Sequence, residues 1–236
     1  ITIALGWVLE PGEDTRTLLR LTALKRLATL DLASAPVQRT LDHIASRKVA
    51  VEPTIAIHEN LLLNRGGAVP AGAVDYIDHL PVGEQRGARA GWADMSAPGD
   101  AEAYAAAYAK LLDTLRQMRQ RGVLLVPGTD LGGSFTFHRE LELFAQLGYT
   151  PAEVLKLATW DMATYLGQDQ STGSIERGKL ADFFLVPGNP AADLKAIKTI
   201  RAVVKDGAVY YPAEIYPHFG IKPFGTVPKV TLPDAP

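Results

Sequence analysis

The sequence alternates amphipathic helix patterns with short apolar strand patterns, and this order restricts the fold more than any other feature. The clearest helix pattern begins at Asp100, where apolar residues recur every three or four positions until Gly122 ends it. The apolar run of residues 123–126 follows at once, and residues 49–57 upstream also have the composition of a buried strand. Strand, helix and strand in this order predict two adjacent parallel strands with the Asp100 helix as their crossover.

Further helices are predicted over residues 14–30, from Ser34 onward, and over residues 137–147 and 150–166. Beyond Gly167 the pattern changes to short strands at residues 182–186, 201–204 and 209–211, with a hairpin turn at residues 206–207. The sequence therefore predicts an α/β domain over residues 1–166. Residues 167–236 are predicted to form a small β segment with a Pro-rich tail from Pro212 along the surface.

Composition excludes several classes of protein. The 24 Lys and Arg residues against 26 Asp and Glu residues leave a net charge of −2, which offers no basic field for nucleic acid or anionic lipid. The chain has no run of roughly 18 to 20 apolar residues that would cross a membrane. The absence of cysteine excludes a disulfide framework, a thiolate zinc site and a cysteine nucleophile. We expect a soluble chain, cytoplasmic or periplasmic, with a small-molecule partner and an N-terminus at Ile1 that is processed or truncated.

Asp130 is the candidate catalytic residue. It follows the predicted strand of residues 123–126, and functional groups of parallel sheets lie at the carboxyl ends of strands. A carboxylate there, followed by Gly132 and Gly133, could bind a metal or accept a proton. Aspartate at a strand end also caps turns, so a purely structural role stays open.

Histidines offer a second set of candidates. The chain has five, and none forms a His-x-His or His-Glu-x-x-His motif. His58 follows the predicted strand of residues 49–57 and His138 lies shortly after Asp130, so both could face one mouth and bind substrate. A structural role is the alternative for each.

Residues 58–99 have many Gly and Pro residues and no sustained period, which is typical of a lid or binding loop. We predict that this loop lies over the same face as Asp130, with Tyr76, His79 and Trp92 as candidate substrate contacts. The alternative is that these three side chains pack the loop onto the domain.

Several segments resemble the C-terminal half of the amidohydrolase superfamily, and they are most similar to its imidazolonepropionase-like and Xaa-Pro-dipeptidase-like branch. They occur in order at fitting spacings: Val-Pro-Gly-Thr-Asp at 126–130, His-Arg-Glu-Leu-Glu-Leu at 138–143, Gly-Tyr-Thr-Pro-Ala-Glu-Val-Leu at 148–155, Ala-Thr at 158–159, Gly-Ser-Ile-Glu-Arg-Gly-Lys-Leu-Ala-Asp at 173–182, and Val-Val-Lys-Asp-Gly at 203–207.

The resemblance implies the C-terminal part of a (β/α)8 TIM-type barrel followed by strands of a small β-sandwich. It implies a divalent metal cofactor, zinc, in the complete enzyme, with Asp130 as the strand-eight metal ligand that takes a proton from the attacking water. The superfamily's His-x-His is absent here, and residues 1–5, about where the strand-six histidine is expected, contain no histidine. We therefore expect that the chain alone does not hold the metal, and that it forms a homo-oligomer or a complex with the missing N-terminal half.

Three functions are compared. The leading hypothesis is hydrolysis of an amide, peptide, ester or lactone bond in a small or dipeptide-like substrate by metal-activated water. The alternative is a non-catalytic remnant or binding module without a complete metal site. A serine hydrolase is the third, but Ser134 and Ser174 lack the Gly-x-Ser-x-Gly elbow that would expose a nucleophile.

Overall fold

The computed structural model describes residues 2–229 and contains a helical core with one small sheet. The α-helices are α1 (Thr2–Leu5), α2 (Leu19–Thr22), α3 (Ala35–Ser46), α4 (Ile55–Leu63), α5 (Val82–Ala88), α6 (Asp100–Gln120), α7 (Ser134–Gln146), α8 (Pro151–Lys156), α9 (Met162–Tyr165) and α10 (Pro212–Ile215). The strands are β1 (Phe183–Leu185), β2 (Ala202–Lys205) and β3 (Ala208–Tyr210). Five 3₁₀ turns (Ala23–Thr29, Ala71–Ala73, Ile77–His79, Leu194–Thr199, Tyr216–Phe219) and a π turn (Leu157–Asp161) lie between them.

Helix α6 is the centre of the core. Its apolar stripe, which includes Tyr104, Leu111, Leu115 and Met118, is almost fully buried. The stripe packs against α4 and against the 3₁₀ turn Ala23–Thr29. The four-and-three spacing seen in the sequence therefore sets which face of this helix points inward.

The predicted parallel pairing is confirmed as a single bridge, between Val51 and Leu125. The strands predicted over residues 49–57 and 123–126 are each reduced to one bridging residue, and the first prediction is wrong from Ile55 onward because α4 begins there. Thr54 adopts a left-handed backbone with φ of 49°, which turns the chain directly from the bridge into the helix. Ile55 and Leu62 are fully buried in that helix, and a run apolar on several sides reads equally well as strand or helix.

The helix predicted over residues 14–30 is also wrong over most of its length. Only α2 is α-helical there, and Ala23–Thr29 forms a 3₁₀ turn. Leucines spaced strictly by three match the three residues per turn of a 3₁₀ helix better than the 3.6 of an α-helix. Leu24 and Leu27 are buried, whereas Leu18 is 81% exposed.

Residues 58–99 are less irregular than predicted, since α4 extends to Leu63 and α5 lies further on. The early segment placed by resemblance near strand six is helical at Thr2–Leu5, and Ile1 lies outside the described residues. Helix α7 confirms the prediction for residues 137–147, and its start is three residues earlier, at Ser134. The helix predicted over residues 150–166 is confirmed as α8 and α9 joined by the π turn.

The sheet agrees closely with the sequence. Strands β1, β2 and β3 pair antiparallel in that order, forming one layer. Asp206 and Gly207 both have positive φ, of 50° and 76°, as a tight hairpin between twisted strands requires. The tail after Pro212 forms α10 and a 3₁₀ turn with many exposed residues, and residues 230–236 lie outside the described part. Within residues 2–229 no helix combines the length and apolar character needed to span a bilayer.

Candidate functional site

The candidate site lies beyond the carboxyl ends of the parallel pair. The Val51 N–H donates to Leu124 O at 2.9 Å, and the Val126 N–H donates to Val51 O at 2.9 Å. From this bridge one chain segment enters α4, and the other passes through residues 127–133 into α7. Both segments line the same cavity of about 590 Å³, at the edge where parallel α/β folds place their functional groups.

The wall of the cavity is mainly apolar and carries a few polar groups. Tyr76, Trp92 and Phe219 supply aromatic surface, while Glu59 and Asn60 on α4 supply polar groups. A concave, largely apolar site with a few fixed polar groups is typical of small-molecule binding. The prediction that the segment of residues 58–99 shares a face with the segment after Asp130 is supported, because both line this cavity.

Arg139 on α7 joins two carboxylates at the wall of the cavity. Its Nε and Nη2 donate to the two Glu59 oxygens at 2.9 and 2.7 Å, and Nη1 donates to Glu142 at 2.9 Å. Burial lowers the pKa of Arg139, but the hydrogen bonds and charge of Glu59 outweigh it and hold that pKa above its usual range. Three of the five guanidinium N–H groups are used. The other two have no hydrogen-bond partner among the described residues, and Arg139 lines the cavity.

A buried lysine extends this network toward the C-terminal part. Lys198, whose side chain is 2% exposed, contacts Glu142 and lies 3.1 Å from Asp75. Lys198 belongs to the 3₁₀ turn Leu194–Thr199, which packs against α7. Positive and negative side chains therefore alternate from Glu59 through Arg139, Glu142 and Lys198 to Asp75. The Arg139 guanidinium is held between the carboxylates of Glu59 and Glu142.

Asn64, just after α4, contributes an unpaired acceptor. Its Nδ2 donates to Ala88 O at 3.0 Å and to Ala90 O at 3.1 Å. Its Oδ1 is buried and has no hydrogen-bond partner among the described residues, and Asn64 lines the cavity. A buried carbonyl oxygen of this kind favours a ligand or water that donates a hydrogen bond to it.

Glu140 holds the start of α4 in place. Its fully buried carboxylate accepts the Ile55 N–H at 2.9 Å and the Ala56 N–H at 2.6 Å. These two donors have no partner within the helix. Burial raises the pKa of Glu140 to about 7 even though both hydrogen bonds lower it. Glu140 therefore acts on the orientation of α4, which carries Glu59 and Asn60.

Residues 51–210, more than half of the chain, match the model of the amidohydrolase family. This chain belongs to the amidohydrolase family. A crystal structure of a Xaa-Pro dipeptidase with bound methionine shares 22% identity over 81% of this chain, with a TM-score of 0.52. A crystal structure of a protein provisionally described as a prolidase, from Bifidobacterium longum, shares 34% identity over 48% of this chain, with a TM-score of 0.42.

This amidohydrolase-family chain spans 43% of the length of the first of those proteins and 29% of the second. No curated protein matches it. The family match confirms the superfamily suggested by the sequence motifs. The likeness to the dipeptidase, at its low identity, shows a shared fold.

Asp130 does not itself line the cavity. It is exposed, and its backbone is left-handed with φ of 54°. The turn around it is closed by Thr129, whose Oγ1 donates to Leu131 O at 2.7 Å and lies 3.0 Å from the Leu131 N–H as its acceptor. Leu131 is the first residue of this segment that lines the cavity. Asp130 thus directly precedes the cavity wall, and its catalytic role stays a prediction.

The family generally uses divalent metals, and the described residues do not fit one. Within residues 2–229 no three His, Cys, Asp or Glu side chains are grouped closely enough to hold a metal ion. Catalytic zinc sites use about three protein ligands. Asp130 as a single metal ligand stays a prediction, and we assign no chemical step to a metal.

His58 lies on α4, and Asp130 is near enough to influence the pKa of its imidazole. Burial lowers the pKa of His58 to about 4, although a hydrogen bond to Thr54 and the charge of Asp130 both raise it. The Nδ1 lies 2.9 Å from Thr54 O, and a carbonyl only accepts, so Nδ1 carries the proton. At neutral pH the ring is uncharged, and its Nε2 is an acceptor. His58 is not among the cavity-lining residues, and its substrate contact stays a prediction.

His138 lies apart from this pair. Burial lowers its pKa to about 4, with the charge of Lys198 lowering it further and that of Glu142 raising it. Its Nδ1 is buried without a hydrogen-bond partner among the described residues, and its ring meets the edge of Phe135. His138 faces the Lys198 side of α7, does not line the cavity, and stays a predicted substrate contact.

The three candidates in the segment of residues 58–99 have different positions. Tyr76 and Trp92 line the cavity, and Tyr76 also stacks on Phe135 with ring centroids 4.5 Å apart. His79 does not line it. Its Nδ1 donates to Lys222 O at 2.7 Å, and its ring stacks on Phe224 at 3.8 Å. His79 therefore has the packing role that the sequence left as the alternative.

Sequence reasoning missed Glu59, Arg139 and Asn64. The signal available was weak: Arg139 and Glu142 are three apart on a helix pattern, which permits an ion pair. The partner Glu59 is 80 residues away in the sequence, so no local spacing connects it to Arg139. The tail residues that line the cavity gave no signal either.

Proposed function

We propose that this chain supplies the substrate-binding edge and the proton-transferring carboxylate of a hydrolase that cleaves an amide, peptide, ester or lactone bond. The observation that carries the proposal is that the segment directly after Asp130 lines the cavity, at the carboxyl end of the Val51–Leu125 bridge in a member of the amidohydrolase family. The proposal includes activation of the attacking water by a divalent metal, and this part rests only on the family to which the chain belongs.

The wall of the cavity suggests how a substrate would be held. The two remaining Arg139 N–H groups would donate to a carbonyl or carboxylate, and Asn64 Oδ1 would accept an N–H or O–H group. Asp130 would accept the proton of the attacking water and deliver it to the leaving group. His58, uncharged at neutral pH, would accept a hydrogen bond at the mouth, and His138 would contact substrate only if the chain near it moves.

We also propose the domain division expected from the sequence. Residues 1–166 would correspond to part of a (β/α) barrel, which the parallel Val51–Leu125 bridge with α6 between its two segments supports. Residues 167–236 would correspond to part of a small β-sandwich, which the sheet of β1, β2 and β3 supports as one layer.

The test is hydrolysis by the protein isolated at its native length and assembly. A panel of dipeptides, N-acyl amino acids, esters and lactones is assayed with and without added zinc chloride, beside an Asp130→Asn variant. We expect one class to be hydrolysed, with kcat/KM lower by about 10² to 10⁴ in the variant because general acid–base catalysis is lost. Equal rates in the two proteins would contradict the role of Asp130.

A binding module is the second candidate, because the described residues provide no group of metal ligands. Under this alternative, the protein binds members of the panel without hydrolysing them, and Asp130→Asn leaves their affinity unchanged. Isothermal titration with the same compounds, together with zinc analysis of the dialysed protein, separates the two candidates.

A further inference from the structure

The tail of the chain forms part of the cavity although it lies outside the region shared with the family. The family match ends at residue 210, and Tyr216, Phe219 and Ile221 line the cavity. These three side chains contribute apolar surface opposite the polar groups of α4 and α7. One wall of the candidate site is therefore made of residues that the family model does not cover.

Contacts with His79 and with Phe135 anchor the tail beside the cavity. The Lys222 N–H donates to His79 O at 2.8 Å while His79 Nδ1 donates back to Lys222 O at 2.7 Å. Phe224 stacks on the His79 ring and lies 5.6 Å from the Phe135 ring centroid. Tyr216, before the turn, lies 6.2 Å from the same Phe135 ring. The segment is thus attached at both ends to the buried cluster of Ala73, Tyr76, Ile77 and Phe135.

Between these anchors the chain turns beside the cavity. Gly220 has a φ of 67°, and a Cβ atom at this position would lie 3.4 Å from the Pro81 ring, so the turn passes close to another cavity-lining residue. Phe219 is 67% exposed although it lines the cavity, and it is not among the residues that form or pack on the buried cluster of Phe135. A large apolar side chain in that position is available to contact a ligand rather than needed for the fold.

We propose that the segment from Tyr216 to Phe224 determines specificity, with Phe219 and Ile221 limiting the size of the apolar group that the cavity accepts. This inference rests on the proposed function. It specifies the substrate class as a compound whose amide or ester end faces Arg139 and Asn64 and whose apolar side chain lies against the tail.

The chain contains no cysteine, so an introduced thiol is the only one and reports access to the cavity directly. Ala73→Cys places a thiol in the buried wall, and Ala56→Cys, also buried and cavity-lining, is the second reporter if the first does not fold. Each is labelled with methyl and with benzyl methanethiosulfonate, in backgrounds with and without Phe219→Ala. Ile215→Ala is the matched control, because Ile215 is an exposed apolar tail residue that does not line the cavity.

We expect Phe219→Ala to raise the ratio of benzyl to methyl labelling rates about tenfold, the size of effect expected when a pocket gains room for several carbons. Ile215→Ala should leave the ratio unchanged. An unchanged ratio in Phe219→Ala, or an equal rise in Ile215→Ala, would overturn the proposal.

The same variants separate this proposal from the proposed function. If Phe219→Ala raises the labelling ratio but the protein hydrolyses nothing, the result supports the size limit set by the tail and counts against the proposed hydrolase function. If hydrolysis depends on Asp130 but Phe219→Ala leaves size selectivity unchanged in both assays, the hydrolase function is supported. The proposal that the tail limits substrate size is then refuted. If both hold, kcat/KM should shift toward substrates with larger apolar side chains in Phe219→Ala.

Discussion

Replacing Glu140 by Gln tests whether a buried carboxylate controls the start of α4. In the folded protein the pKa of Glu140 is raised from 4.5 to about 7 by burial. A carboxyl whose folded pKa exceeds its unfolded value binds its proton more tightly when folded, so stability falls as pH rises from 4.5 to about 7. Between pH 5 and pH 8 the shift corresponds to a loss of about 2.5 kcal/mol from the free energy of unfolding of the natural protein.

Glutamine does not titrate, so Glu140→Gln should lack this loss. Its side chain keeps one acceptor for the N–H groups of Ile55 and Ala56, and the N–H left unpaired costs about 1 to 3 kcal/mol. We therefore expect the variant to be less stable at pH 5 and nearly as stable as the natural protein at pH 8. Glu140→Ala, which removes both acceptors, should be less stable at both pH values.

Urea unfolding followed by circular dichroism at pH 5 and pH 8 measures these differences. Comparing each variant with the natural protein at the same pH cancels the titration of every other group. A Glu140→Gln difference that is the same at both pH values would refute the reasoning, because it would mean that burial does not raise this pKa. Thr150→Ala removes a capping side chain from the start of α8 and serves as a control. Its loss in the free energy of unfolding should be the same at pH 5 and pH 8.

Three further predictions concern stability. The folded pKa of His138 is lowered to about 4, so its contribution to the free energy of unfolding is present above pH 6.5 and is lost as pH falls to 4. His138→Gln does not titrate, so urea unfolding should show an acid-induced loss of stability that is smaller by about 3 kcal/mol. Lys198→Met leaves the carboxylate of Glu142 without its lysine partner and should lower the free energy of unfolding by about 3 to 5 kcal/mol. Gly173→Ala adds a methyl 2.5 Å from the nearest side-chain carbon, whereas Gly178→Ala at similar positive φ meets nothing. Thermal melts should therefore show the larger loss for Gly173→Ala, and equal losses would contradict the close packing.

The local elements that the sequence predicted well are those whose stability depends on nearby residues. Helix α6 was evident from its apolar period, and the hairpin between β2 and β3 from Asp206 and Gly207. The family motifs were also visible, because they are contiguous segments in a fixed order. The catalytic role of Asp130 stays a prediction, although the residues directly after it line the cavity.

Only the tertiary structure decided the start of α4 and the composition of the cavity. Residues 55–57 are apolar enough for either strand or helix, and the Glu140 carboxylate that accepts the N–H groups at this helix start is 85 residues away from Ile55 in the sequence. The Glu59–Arg139 pair and the tail wall at Phe219 likewise join distant segments. Periodicity and capping report on contacts within a few residues, whereas a buried ion pair or a cavity wall exists only after packing has brought remote segments together.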